Sequence, residues 1–406
     1  MADEERTGTR LRRLRRSQGM SQGRLAGLSG LSKSFISMVE TGQRSLDRRR
    51  DVARIAAALR VSETDLTGGP HLTADRDQAE PHYGIPALRV ALTTASLTAP
   101  AVDRARPLAG LARMVGEQAE PMRRNCDYTS LGRVLPVVLD ELHWHAASPV
   151  DEAAHRDALM ALVDACVCAT FMAKRLNYPD LAHLAALRAR EAAALLADPV
   201  AQGKADFAVL NTLPRAGAGG RALSAAQRAA TALEPHASDR EGLSVLGMLT
   251  LHAALSAAVL QRGSQATGWI EAASQIAARL PDTPGGNWQS FSMANVAIWR
   301  VGVAVERGES GKPVLSLAHG VPVHQFGPRS SRRADLLIDT GRGLARDART
   351  WREAVQALRQ AEEAAPQRVR NSPAAREAVA HLLDRARATA GGAELRGLAA
   401  RLGLNS

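Results

Sequence analysis

Residues 21–42 read SQGRLAGLSGLSKSFISMVETG, which implies a short helix, a tight glycine turn and a second helix with an exposed polar face. Leu25, Ala26, Ile36 and Val39 fall where two such helices bury against each other, and Gly30 falls where the chain must reverse with little room for a side chain. Ser32 supplies an N-cap oxygen for the second helix, and Gly42 follows its end as a left-handed cap. This is the spacing of a helix-turn-helix, whose second helix enters the DNA major groove. Lys33, Ser34, Ser37 and Met38 then remain exposed on that helix, where side chains reach base edges.

The first 66 residues resemble the phage-repressor-like helix-turn-helix regulators of the XRE family. LRRLRRSQGMSQ (11–22) matches the family's first helix and the start of its second, and Leu25-Ala26 matches its Leu-Ala pair. Ile36, Glu40 and Gly42 match the end of the recognition helix, while Ile55–Leu59 and Val61–Leu66 match the closing helices. The resemblance implies a five-helix domain. It also implies that Gln22 lies between the DNA backbone and the recognition helix and that Arg15 pairs with Glu40; Thr41 and Arg44 are expected to hold phosphates with Gln22, and Ser32 is expected among the DNA-binding residues. Phe35 departs from the family pattern, which favours a small or polar residue there; a core contact and a thymine-methyl contact are both open readings.

Charge supports nucleic acid as partner. Residues 1–70 hold fourteen Lys or Arg against eight Asp or Glu, a surplus of six, while the other 336 residues add only five to the total of +11. Positive charge clustered in so short a unit favours phosphate contact by counterion release. The competing class is a docking module, since basic three-helix units also bind proteins.

The 406-residue chain is 45% apolar but only 3% aromatic, a mixture suited to closely packed helices rather than strands. Cys126, Cys166 and Cys168 form no disulfide framework, which suits a reducing cytoplasm. The start lacks an apolar signal core. The apolar stretches around 155–173 and 245–260 are interrupted by Asp164 and His252, so no membrane span is expected.

A segment rich in proline and glycine, 69–86, reads as a linker between a DNA-binding domain (1–68) and a helical region (87–406). Helices are expected near 102–118, 130–146, 151–176, 179–197, 221–234, 239–262, 265–280, 287–308, 330–347, 350–364 and 373–389. Helix pairs joined by short turns build an α-solenoid. Ala354, Leu358, Ala361 and Pro366 fit the tetratricopeptide spacing in full, and Ala182, Ala186 and Ala189 fit it in part. The region thus resembles a divergent tetratricopeptide array, and the whole chain is expected to be all-α.

Catalytic and metal signatures are sparse. Glu141, His143 and His145 around Trp144 diverge if helical, and Cys166 and Cys168 lie about 200° apart around a helix, so neither set converges on a metal. Gly217–Gly220 lacks the strand and Lys-Ser/Thr ending of a phosphate loop. Neither an enzyme nor a cofactor is expected. Trp288, Phe291, Asn295 and Trp299 recur at helical spacing, and two readings stand: packed core, or a face whose asparagine grips a peptide backbone, as in tetratricopeptide regulators. The sequence therefore points to a dimeric, cytoplasmic regulator that binds double-stranded DNA. Its helical region would sense a peptide, small molecule or protein. The alternative is an interaction scaffold.

Overall fold

The computed structural model describes residues 6–72, 75–213, 219–281, 283–386 and 392–404, and every regular element among them is helical. The N-terminal domain contains α1 Thr7–Ser17, α2 Gln22–Ser29, α3 Lys33–Glu40, α4 Arg49–Leu59 and α5 Glu63–Thr67. They close over a small core of Leu11, Leu25, Ile36, Val39, Ile55, Leu59 and Leu66. The next segment holds α6 Arg76–Ala79 and leads into α7 Ile85–Thr94, α8 Leu108–Met114 and α9 Glu120–Arg124.

The remaining helices are α10 Tyr128–Ala147, α11 Glu152–Arg175, α12 Pro179–Leu196, α13 Pro199–Thr212, α14 Gly219–Leu233, α15 Arg240–Val259 and α16 Gly263–Ala277. They are followed by α17 Met293–Arg307, α18 Lys312–His319, α19 Ser331–Ala345, α20 Trp351–Ala364, α21 Pro366–Arg370, α22 Pro373–Ala386 and α23 Ala393–Arg401. From α11 to α20 the helices pair consecutively, and each odd-numbered helix also touches the next odd-numbered one. The sixth pair, α22 with α23, continues the row through α19 against α22. That contact pattern is a solenoid of two-helix repeats, with the odd helices forming its inner layer.

Local chemistry sets the helix starts. Asp127, Asp151, Asp198 and Asp239 each accept a backbone N–H at the N-cap of α10, α11, α13 and α15, satisfying donors the helix cannot use itself. Alanine then permits close crossings: Ala182, Ala186 and Ala189 of α12, and Ala354 and Ala361 of α20 with Leu358, are fully buried. The apolar α15 is long enough to cross a membrane, but 94% of its most apolar window is buried inside this fold.

Several boundaries depart from expectation. The 69–86 segment is packed rather than a free linker: Pro81 and His82 are buried, and His82 bridges Tyr178 Oη and Asn371 Oδ1, each at 3.0 Å. The helix expected from 102 begins at Leu108, because Pro107 disfavours helical backbone in the residue before it. The helix expected at 287–308 begins at Met293. Helices α6, α7, α9, α13, α18, α21 and α23 lie outside the expected set. Of the Gly217–Gly220 turn, residues 217–218 lie outside the described residues, and Gly219 opens α14.

The N-terminal domain is held against the inner layer by a buried ionic network. Arg342 of α19 donates to Asp47 Oδ2 (3.2 Å) and to Glu306 Oε1 (2.9 Å), and Arg346 reaches Asp47 at 2.7 Å. Glu306 of α17 also accepts the backbone N–H of Arg49 (3.0 Å) and its guanidinium (2.9 Å). Leu46 N–H donates to Glu377 of α22 at 2.9 Å, and Arg6 pairs with Asp384. Burial alone would raise both central carboxyls. The charges of Arg346 and Arg342 on Asp47, and of Arg49 and Arg342 on Glu306, outweigh it and hold both below the usual carboxylate range.

Removing one partner strands buried charge, so Glu306→Ala should lower stability by about 3–5 kcal/mol and expose the 42–72 segment to limited proteolysis. Replacing the exposed Glu271 should change neither. Because the folded carboxyl pKa values are depressed, the network's contribution is fully present above their unfolded values near about 4 and is lost as pH falls through the lower folded values. Thermal melts of both variants from neutral to acidic pH check this: the gap between Glu306→Ala and the parent chain should stay constant down to about pH 4 and narrow below it.

Candidate nucleic-acid interface and central cavity

Helix α2 opens with Ser21 accepting Arg24 N–H and closes on Gly30 at φ 65. Ser32 accepts Phe35 N–H at 3.0 Å and so starts α3. Phe35, Ile36 and Val39 face the domain core, which leaves Ser32, Lys33 and Ser34 exposed and Ser37 and Met38 half-exposed. Phe35 is thereby a core residue, and Arg44 lies over its outer face with Cζ 4.7 Å from the ring centre. This cation–π contact positions a guanidinium beside the recognition helix.

The rear of α3 is fixed by ionic contacts. Arg15 Nε and Nη2 donate to the two carboxylate oxygens of Glu40 at 2.5 and 2.9 Å, and Gln22 Nε2 donates to Glu40 at 2.8 Å. Gln22 thus lies against the recognition helix, with one amide N–H left over. Thr41 donates its hydroxyl to Ser37 O at 3.0 Å, so that proton caps the helix rather than reaching for a phosphate.

The structure divides the expected effector face. Trp288, Phe291, Asn295 and Trp299 do not share a helix, because Ser292 caps α17 and Gln289 and Ser290 take left-handed backbone (φ 53 and 56). Phe291 instead fills a notch at Gly247, where a Cβ would lie 1.9 Å from its Cζ. Asn295 is fully buried and donates to Gln289 O at 3.2 Å. Trp288 packs edge-on against Phe207, with ring centres 5.4 Å apart. Of the four, Trp299 alone lines the central cavity.

That cavity encloses about 880 Å³ between the inner helices and the N-terminal domain. Arg175 of α11, Phe207 of α13, His252 of α15, Trp299 of α17 and Arg332 of α19 contribute to its wall, and Thr7, Leu46, Asp47 and Arg49 cover one side. Sequence reasoning missed these charged residues. Their signal was the row Arg332, Asp335, Asp339 and Arg342, which places charges on one side of a helix that is otherwise apolar.

The remaining motifs have structural partners. Glu141 pairs with Arg106 at 2.8 Å, His143 Nδ1 contacts Leu139 O, and His145 contacts Arg106 O. Cys126, Cys166 and Cys168 are buried free thiols.

A helix-turn-helix domain family model matches residues 6–67. Among solved structures, the chain is similar to the crystal structure of Bacillus thuringiensis PlcR in complex with the peptide PapR7 and DNA. The two share 11% identity with a TM-score of 0.31, covering 78% of this chain and 92% of that one. No curated protein matches.

The Arg15–Glu40 contact generates a direct test. Burial would raise the Glu40 carboxyl, but the hydrogen bonds from Arg15 and Gln22 and the Arg15 charge override it and hold the group below its usual range. Glu40→Ala should therefore cost on the order of 3 kcal/mol, read as a lower melting temperature of the full chain. Lys33→Ala, at an exposed site, should stay within about 0.5 kcal/mol of the parent.

Proposed function

We propose that this chain is a sequence-specific DNA-binding transcriptional regulator of the XRE type. In this reading Lys33, Ser34, Ser37 and Met38 face base edges, while Gln22, Ser32 and Arg44 hold phosphates. The observation that carries the reading is α3 itself: its first turn is polar and exposed while its rear is pinned by Arg15, Glu40 and the domain core. A rigid helix presenting short polar side chains suits major-groove readout. The contacts that dock this domain on the solenoid include Arg6, residues 46–49 and Gly68 O, while Ser32, Lys33 and Ser34 at that first turn stay exposed.

The solenoid, in this reading, is a divergent tetratricopeptide array that forms a homodimer and senses a peptide, small molecule or protein partner. A single reader of this size contacts few base pairs, so useful specificity calls for two half-sites. The chain would act in the cytoplasm without catalysing a reaction.

Selection of bound duplexes from a randomised DNA pool, followed by gel shifts over a salt series, tests the reading on the full chain. Lys33→Ala or Ser34→Ala should change base preference by about 1–3 kcal/mol at one position. Arg44→Ala should weaken all sequences alike and flatten the salt dependence. Failure to enrich any sequence, or equal losses on every sequence for all three variants, would overturn it. Sedimentation of the full chain should give a dimer.

A further inference from the structure

At one end of the central cavity, around Asp335, guanidiniums outnumber the carboxylate they share. Arg175, Arg332 and Arg368 converge on the single carboxylate of Asp335. Arg368 pairs with it directly, while Arg175 and Arg332 approach only to 3.5 Å each, too long for a charge-assisted hydrogen bond; Arg332 Nε and Nη2 donate instead to the neutral Gln289 O at 3.1 and 2.8 Å, which leaves its charge unbalanced. Arg368 Nε and Nη1 are buried without a hydrogen-bond partner. Arg123 has its own partner in Glu120. Of the other carboxylates on the wall, Asp339 and Asp47 pair with Arg342 and Glu377 accepts from Leu46 N–H, while Glu63 and Asp180 line the cavity away from Asp335 in sequence, on α5 and α12.

Burial and repulsion from neighbouring guanidiniums push the Arg332 pKa down to about 10 and lower that of Arg175. Crowded guanidiniums keep their protons, and an added anion relieves their repulsion. Lys174, bonded to Asn211 at 2.8 Å, adds a cation beside Arg175 on the same cavity wall. Next to this cationic end stand Phe171 and Phe207, 5.9 Å apart, with Trp299 and Leu255 further along the wall. A volume of about 880 Å³ suits one drug-sized molecule with a few fixed polar contacts.

We infer that this cavity binds a small amphipathic organic anion, its carboxylate or phosphate against Arg175, Arg332 and Lys174 and its apolar body against Phe171, Phe207 and Trp299. The inference rests on the effector-sensing reading of the solenoid and names the class of effector. Asp47 and Arg49 line the same cavity, so a bound anion meets the DNA-reading domain directly. By linkage, any effect of the anion on DNA affinity is matched by an equal effect of DNA on its binding.

The test uses the full chain and the fluorescent anion 8-anilino-1-naphthalenesulfonate, with N-phenyl-1-naphthylamine as its uncharged counterpart. One saturable site is expected for the anion. Arg175→Gln and Lys174→Gln should each weaken it by about tenfold while leaving the neutral dye unchanged. Benzoate and phenyl phosphate compete in separate arms, and the better displacer identifies the head group. Anion binding unchanged in both variants, equal loss of the neutral dye, or displacement by neither competitor overturns the proposal. Arg175 is half-buried, so its variant remains informative even if Arg332→Gln fails to fold. Dye binding needs no DNA. A chain that binds the anion but enriches no DNA sequence would sink the regulator reading and leave this site standing.

Discussion

The placement of the N-terminal domain depends on one buried guanidinium. Arg342 and Glu306 are essentially without solvent contact and Asp47 nearly so, yet the three come from α19, α17 and the loop before α4. Ions so desolvated are stable only when each has well-placed partners, since the desolvation cost of one alone amounts to several kcal/mol. Within the solenoid Arg342 already pairs with Glu306 and Asp339, and docking of the N-terminal domain adds Asp47 and Arg49, so that Asp47 is balanced only in the docked arrangement. Nonpolar packing tolerates sliding of one surface on another, whereas bidentate contacts to a backbone carbonyl and two carboxylates fix both distance and angle. The orientation of α3 relative to the solenoid follows from that constraint together with the Arg15–Glu40 contact inside the domain.

The solenoid meets the same constraint with different means. Its inner helices are alanine-rich and cross closely, so charge can enter only where helices diverge enough to leave space. Lys204 illustrates the rule: it is almost fully buried between Asp164 and Glu241, at 2.9 and 2.7 Å, and ties α11, α13 and α15 together. Charge also lines the central cavity, where Arg123, Arg175 and Arg332 stand near Asp335. Packing and recognition are thus alternatives along one helix, with α19 taking part in both through Arg342 and Arg332.

Local features were legible in the sequence, and features assembled across the array were not. The 21–42 pattern sufficed for α2 and α3 because cap, turn and core residues lie within 22 positions. The termini of α10, α11 and α12 were readable from their periodicity. By contrast, α13 contains Lys204 on its buried side, which masks its apolar stripe, and its start after Leu196-Ala197-Asp198-Pro199 looks like an ending. The 288–299 face misled because helical spacing continues through Gln289 and Ser290, although both adopt left-handed backbone. Only the opposing Gly247, some 40 residues earlier, accounts for where Phe291 lies. Arg175 resembled an ordinary cation at a helix C-terminus, a favourable place on its own, and its role at the cavity required α19.

This arrangement bears on how a ligand could affect DNA. A ligand shifts an equilibrium only by its differential affinity for two states, and long-range coupling through packed helices demands bistable elements along the route. Here no such route is required. Asp339 lines the cavity and also holds Arg342, while Asp47 and Arg49 belong to both the cavity wall and the docking network. An anion placed near Arg332 is one helical turn from Asp335 and two from Asp339 along α19, so its charge acts on the network directly in a poorly screened interior. Added negative charge would favour Arg342 and Arg346 turning toward the ligand and weaken their hold on Asp47. The N-terminal domain would then be released or tilted without any rearrangement inside the repeats.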